Sequence, residues 1–262
     1  MEKERIDVLL VEKGLVESRN KAQAYIRERR VKINNKIIDK PGTLINKESE
    51  IEIKEPFPFV SRGALKIKKA LESFSINVKN KVIADIGAST GGFTDYLLFC
   101  GAKLIYAVDV NTKQLHYKLQ KNKKIVKIEK NARYLTSEDF KFGIPEIFTM
   151  DVSFISVIKI FPALLRINPK SIFITLIKPQ FEGKREYLKK GIVVNRKNLY
   201  NIIFSVYKKL KEMELFLQNI EISPIKGQKG NTEFLFLLTG EKEKFKKDFI
   251  ENKIKEVVFG IQ

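Results

Sequence analysis

The sequence predicts an α/β protein, a mostly parallel, doubly wound sheet preceded by a small α+β unit. Two observations carry this. From Leu65 onward, short apolar runs rich in β-branched residues alternate with helical patterns, as in a parallel sheet covered on both faces. Ahead of them, residues 1–54 join two short helical patterns to strand-like stretches of alternating polarity. With 262 residues, 44% of them hydrophobic, the chain is long and apolar enough for one large domain and one small one.

In the front unit, RIDVLLVEKGLV carries apolar residues at helical spacing and stops at Gly14, and Ser18 is a good N-cap for RNKAQAYIRERR. VKINNKIID and ESEIEIKE alternate like half-buried strands, with turn chemistry at Asn34-Asn35 and Pro41-Gly42. Between Ser18 and Lys40 the acids are Glu28 and Asp39 alone, against Arg19, Lys21, Arg27, Arg29, Arg30, Lys32, Lys36 and Lys40. Arg19, Arg27 and Arg30 are expected to share one face of the second helix, a surface suited to phosphates. EPFPFVSRGA follows, too rich in proline for a regular helix, and reads as a semi-rigid linker. The domain reading is therefore 1–54, linker 55–60, and 61–262.

The strand candidates in the large domain are KVIADIG, KLIYAVDV, KIVKIEK, EIFTMDVS, SIFITLIKP, LFLQNIEIS and TEFLFLLTG. FTDYLLFCG, SFISVIKIFPALLRI and RKNLYNIIFSVYKKLKEM read as helices between them, and EKEKFKKDFIENKIKEVVFGIQ as a terminal helix. PIKGQKGN is too short for a helical crossover, so the last two strands should pair as an antiparallel hairpin.

Composition narrows the chemistry. Lys+Arg is 50 against Asp+Glu 31, a net charge of +19 that favours a polyanionic partner. Cys100 is the only cysteine and His116 the only histidine. That excludes an intramolecular disulfide, a cysteine metal cluster and a multi-histidine zinc site, so no metal is expected. His116 falls in a charged stretch, TKQLHYKLQKNKK, that reads as helical surface. The amino-terminal residues lack the apolar run of a signal peptide, and no stretch is long and apolar enough to span a bilayer. A cytoplasmic protein is expected.

In VIADIGASTGGF a strand runs into Asp85, Gly87, Gly91 and Gly92 and then into a helix, where glycines let a ligand approach the backbone. About twenty residues on, LIYAVDV ends in Asp109, placed to accept hydrogen bonds from ribose hydroxyls. A dinucleotide or S-adenosylmethionine satisfies this pattern, although the spacing departs from G-x-G-x-x-G.

Four ionisable residues mark the reaction end. Asp151 lies at the carboxyl end of one strand candidate and Lys178 ends another, Lys66 opens the helix before the sheet, and Glu233 opens the last strand. Ligands in doubly wound sheets sit beyond the carboxyl ends of the parallel strands, and an antiparallel last strand would bring Glu233 to the same edge. Two amines and two carboxylates there suit the removal of a proton from a poor nucleophile such as a ribose hydroxyl. Partial burial and a neighbouring cation both favour a neutral, basic amine, while the carboxylates orient the amines.

These stretches carry a resemblance to known families. Residues RIDVLLVEKGLVESRNKAQAYIRERRVKINNKIIDKPG and the closing strand resemble the S4 RNA-binding module. D-x-G-x-x-x-G-G-F looks like the first motif of class I methyltransferases. SRGALK, DIGASTGGFTD, YAVDV, MDVSFIS, IKPQFE and KGNTEF, in that order, resemble the TlyA, or hemolysin-A-like, rRNA 2′-O-methyltransferases, relatives of the FtsJ-type enzymes. The resemblance covers nearly the whole chain. It implies a Rossmann-like methyltransferase domain with a seven-stranded sheet and an antiparallel last strand. It implies S-adenosylmethionine as methyl donor, a cytidine 2′-hydroxyl of ribosomal RNA as acceptor, and ribosomal subunits as partners. It implies a catalytic tetrad of Lys66, Asp151, Lys178 and Glu233, with Lys178 as the base. The cofactor would meet Asp85, Gly87, Ser89, Thr90, Gly91, Gly92, Phe93, Asp109, Asn131 and Arg133. The RNA would meet Arg5, Arg19, Lys21, Arg27 and Arg30. The family's linker usually holds a tryptophan; PFPF stands there in this chain. Three other readings compete, a pore-forming haemolysin, a non-catalytic S4-type RNA-binding protein and a small-molecule O-methyltransferase, for which the basic front unit would have no purpose. The lack of spanning segments argues against the first, and the glycine turn with the four ionisable residues against the second.

Overall fold

Contacts in the computed structural model divide the chain into two compact units, Met1–Pro58 and Phe59–Gln262. The structure describes residues 2–54, 57–241 and 247–260; Glu55 and Pro56 of the expected linker, and part of the expected terminal helix, lie outside these.

The first unit folds as β1 (Lys3–Arg5), α1 (Ile6–Glu12), α2 (Arg19–Arg27), β2 (Val31–Ile33), β3 (Lys36–Ile38), β4 (Leu44–Asn46) and β5 (Ile51–Ile53). β2 pairs antiparallel with β3 and β5, and β1 with β4. Asn34 and Asn35 both take positive φ, at 46° and 66°, which makes the two-residue turn that a tight hairpin needs. Ile6, Leu10, Ala22, Ile26, Val31 and Ile33 pack the space between helices and strands. The Ser18 hydroxyl accepts from the Lys21 N–H and starts α2. That helix is shorter than its charge pattern suggested. It ends at Arg27, and Arg29 turns the chain at a φ of 59°. Arg30 therefore lies beyond the helix and shares no face with Arg19 and Arg27. Its guanidinium instead stacks 3.4 Å over the Tyr25 ring and donates to the Lys54 carbonyl at 2.9 Å.

The second unit begins with α3 (Gly63–Phe74). It continues through β6 (Val82–Ile86), α4 (Gly92–Phe99), β7 (Leu104–Asp109), α5 (Tyr117–Gln120), β8 (Ile125–Glu129), β9 (Ile147–Met150) and α6 (Phe161–Ile167). β10 (Ile172–Ile177), α7 (Pro179–Glu182), α8 (Arg196–Glu212), β11 (Phe216–Ile222), β12 (Phe234–Thr239) and α9 (Lys247–Phe259) complete it. The seven strands are ordered β11-β12-β10-β9-β6-β7-β8. β8, β7, β6, β9 and β10 run parallel, and β12 lies antiparallel between β10 and β11. Both faces are covered. Phe173 and Ile177 of β10 join one core with Phe148, Phe161, Ile203 and Tyr207, while Ile174 and Leu176 join another with Ile67, Leu71 and Leu97. Burial on both faces explains why β10 is an unbroken apolar run rather than an alternating one.

Two expected helices differ from the pattern that suggested them. SFISVIKIFPALLRI yields only a 3₁₀ turn at Val157–Lys159 and then α6, because Pro162 is tolerated in the first turn of a helix and not in its interior. The stretch around His116 is two short turns, with the imidazole Nδ1 capping α5 by accepting from the Lys118 N–H. Leu115 and Leu119 are its buried residues, packed on Ala88 and Ala107 under the glycine turn.

Candidate active site

The sheet brings five functional segments to one edge. β6 ends in the glycine turn, β7 in Asp109, β9 before Asp151 and β10 before Lys178. Because β12 is antiparallel and pairs Phe234 with Ile177, Glu233 stands at the same edge as Lys178. Lys66 comes from the first turns of α3.

These four ionisable side chains touch in series. Lys66 Nζ donates to Glu233 Oε2 at 2.7 Å and lies 3.6 Å from Asp151 Oδ2. Lys178 Nζ lies 2.5 Å from Asp151 Oδ1 and donates to the Ser153 hydroxyl at 2.9 Å. Lys66, Lys178 and Glu233 are buried, the last 2% exposed, and Asp151 keeps 20% of its side chain in solvent. Buried charges are costly unless paired, and here each amine meets a carboxylate. Gly227 presses its backbone on the Glu233 carboxylate so closely that a Cβ there would collide with it.

Lys66, Asp151 and Lys178 line a pocket of about 460 Å³ whose walls include Arg62, Gly87, Gly92 and Lys226, while Glu233 is buried behind Lys66. A second cleft, of about 930 Å³, adjoins it and shares Gly87, Ser89, Asp151 and Ser153. The larger cleft also holds Asp109, Asn131, Arg133, Phe154 and Phe181. Two concavities meeting at Asp151 suit a reaction between two bound groups. The turn is built for close approach: Gly87 has φ of +81°, and a Cβ there would stand 2.6 Å from the Asp151 carbonyl oxygen. Asp109 accepts from the Ser89 N–H at 2.9 Å and the Asn111 N–H at 3.0 Å. A carboxylate has about four acceptor sites, so Asp109 retains capacity for ribose hydroxyls. The larger cleft therefore fits a nucleoside-bearing cofactor.

The predicted cofactor residues do not all face these cavities. Thr90 and Phe93 line the smaller pocket. Gly91, with φ of +94°, is the N-cap of α4 and lines neither. Asp85 is 1% exposed beneath the turn, accepting from Thr94 Oγ1 at 2.6 Å and Thr149 Oγ1 at 3.0 Å. It ties β6 to α4 and β9. Burial pushes its carboxyl up to about 6, against the opposing pull of the two hydroxyls. Sequence reasoning missed Ser153 and Phe154. They sit in the same MDVSFIS segment as Asp151, where a polar and an aromatic residue just past a strand end were the available signal.

In the first unit, Asp7 is fully buried. It accepts from Arg5 at 3.0 and 3.1 Å, from Arg19 at 2.9 Å and from Gln23 at 2.9 Å. Arg5 and Arg19 thus brace the fold while staying half exposed. Lys21 pairs with Glu17 at the surface. Arg27 and Arg29 are exposed, with no carboxylate partner among the described residues.

Residues 59–239 match the family model of FtsJ-like methyltransferases and residues 4–51 that of the S4 domain. The chain is 35% identical over 241 residues to the 16S/23S rRNA (cytidine-2′-O)-methyltransferase TlyA of Mycobacterium tuberculosis, covering 90% of each. This chain belongs to the TlyA family of FtsJ-like methyltransferases. Another relative, Hemolysin A of Brachyspira hyodysenteriae, is 41% identical, with 88% of this chain and 98% of that one covered. A solved chain from Streptococcus thermophilus, named as a hemolysin, superposes with a TM-score of 0.75 at 40% identity, over 99% of this chain and 96% of that one. Among the described residues no helix is long and apolar enough to cross a membrane.

Proposed function

We propose that this protein methylates the 2′-hydroxyl of a cytidine in ribosomal RNA, with S-adenosylmethionine as donor and Lys178 as the group that takes the proton. The carrying observation is the Glu233–Lys66–Asp151–Lys178 series where the two concavities meet. The relatives named as rRNA (cytidine-2′-O)-methyltransferases support the acceptor. S-adenosylmethionine, when bound, supplies a sulfonium methyl open to in-line displacement. Gly87, Ser89, Asp109, Asn131 and Arg133 would hold it in the larger cleft.

The two lysines have different surroundings, which supports different roles. Lys66 faces two carboxylates, Glu233 and Asp151, and serves as a fixed cation that orients Asp151. Lys178 faces one carboxylate and the Ser153 hydroxyl, a group able to donate to a neutral amine as well as accept from an ammonium. Lys178 is therefore the amine better able to turn to a substrate oxygen. Lys178 Nζ would take the proton of the ribose hydroxyl, and Asp151 would stabilise the ammonium that forms. Phe154, 85% exposed at the cleft, offers a ring face for a nucleobase. The S4 unit would bind RNA through Arg27, Arg29 and the outward sides of Arg5, Arg19 and Lys21. Such a substrate places the enzyme in the cytoplasm with the ribosome.

The test is incubation of ribosomal subunits with the protein and a methyl-labelled donor, followed by mapping of the labelled nucleotide. Label on a cytidine ribose is expected; label on a base, or none, would refute the reading.

A further inference from the structure

The loop of residues 151–156 holds Asp151, Ser153 and Phe154 yet contains no regular structure. Phe154 has φ of 66°, a region that bulky residues avoid. Such a conformation persists only where surrounding contacts impose it. Asp151 is held from β6 and Lys66, and the contacts of Ser153, Phe154 and Ser156 come from Lys178 and the helix that follows it. The Ser156 hydroxyl donates to Glu182 Oε2 at 2.6 Å, and the Val157 N–H donates to Glu182 Oε1 at 2.9 Å. The Phe154 and Phe181 rings lie 5.2 Å apart, and Ser153 accepts from Lys178. Glu182 closes α7, a helix that packs on α8.

We propose that Glu182 is a positioning residue whose carboxylate pins the 151–156 loop to α7, so that Ser153 and Phe154 keep their places beside Lys178. The methyl-transfer reading is needed only for the catalytic consequence of this pin. Both bonds accept a neutral replacement of the same shape. A glutamine carbonyl would take the Val157 N–H, and its amide would donate to the Ser156 oxygen. Burial pushes the Glu182 carboxyl above its usual range, so removal of the charge itself is mild.

The chain contains no tryptophan, so Phe154→Trp creates a single fluorescent reporter on the loop. Time-resolved anisotropy of this reporter in the full chain is the test. Glu182→Ala should enlarge the fast nanosecond component about twofold or more, and Glu182→Gln should leave it near that of the parent. In the chain with Phe154 intact, Glu182→Ala should lower kcat at saturating donor about tenfold, and Glu182→Gln should restore it to within about threefold. Unchanged anisotropy in Glu182→Ala overturns the pin, whether or not the protein methylates RNA. Should that variant fail to fold, Ser156→Ala severs one of the two bonds. It should move the reporter the same way by a smaller amount, and no movement is again a refutation. A parent chain that shows the anisotropy pattern but no methyl transfer would count against the proposed function and leave the pin standing.

Discussion

Asp85 shows how a buried carboxylate can tie a strand to its neighbours. It sits beneath the glycine turn with both oxygens on threonine hydroxyls, and burial lifts its carboxyl to about 6. The folded state therefore binds this proton more tightly than the unfolded chain. Its contribution to stability is complete below about pH 4 and is lost as pH rises through about 6. Asp85→Asn should flatten that dependence, with up to about 3 kcal/mol recovered at pH 7.5 relative to the parent. Urea unfolding from pH 4 to 7.5 checks this; parallel curves for the two proteins would contradict it. Gly227 makes a steric prediction. Gly227→Ala should displace the Glu233 carboxylate from Lys66 and lower kcat about a hundredfold, while donor affinity by calorimetry changes little. The members of the tetrad were legible in the sequence because each stands at a strand end or helix start whose edge topology predicts. Ser153 and Glu182 were not, because their contacts depend on the path of the irregular 151–156 loop.

At the scale of elements, the seven strands were legible because apolar, β-branched runs are bounded by glycine, proline and asparagine. The connections were less so. Pro162 breaks one expected helix, and the stretch around His116 has only Leu115 and Leu119 to bury. α2 ends three residues before Arg30, so the expected arginine stripe is shorter than its spacing implied. The helices of the first unit depend instead on Asp7. The Arg5 guanidinium beside it, with Gln23 and Arg19, holds its carboxyl far below the usual carboxylate range despite burial. A depressed carboxyl contributes stability that is present above about pH 4 and lost as pH falls below it. Amide exchange at Ile26 and Val31 should therefore accelerate on acidification below pH about 4, and Asp7→Asn should abolish that acceleration. Exchange independent of pH, after correction for intrinsic rates, would contradict the role given to Asp7.

As a whole molecule, one chain of net charge +19 carries both an S4 unit and a methyltransferase unit. RNA affinity should fall with salt, and Arg27→Ala should weaken binding uniformly across sequences and reduce the log–log salt slope by about 1. A filter-binding titration in which neither changes would move the RNA surface elsewhere. The most direct test concerns Lys178. Ribosomal subunits are incubated with methyl-labelled donor and either the native chain or Lys178→Ala, and the digested RNA is read by mass spectrometry. The native chain should yield 2′-O-methylcytidine. Lys178→Ala should yield about 10²–10⁴-fold less at equal donor occupancy. Methylation by Lys178→Ala at the native rate would contradict the account.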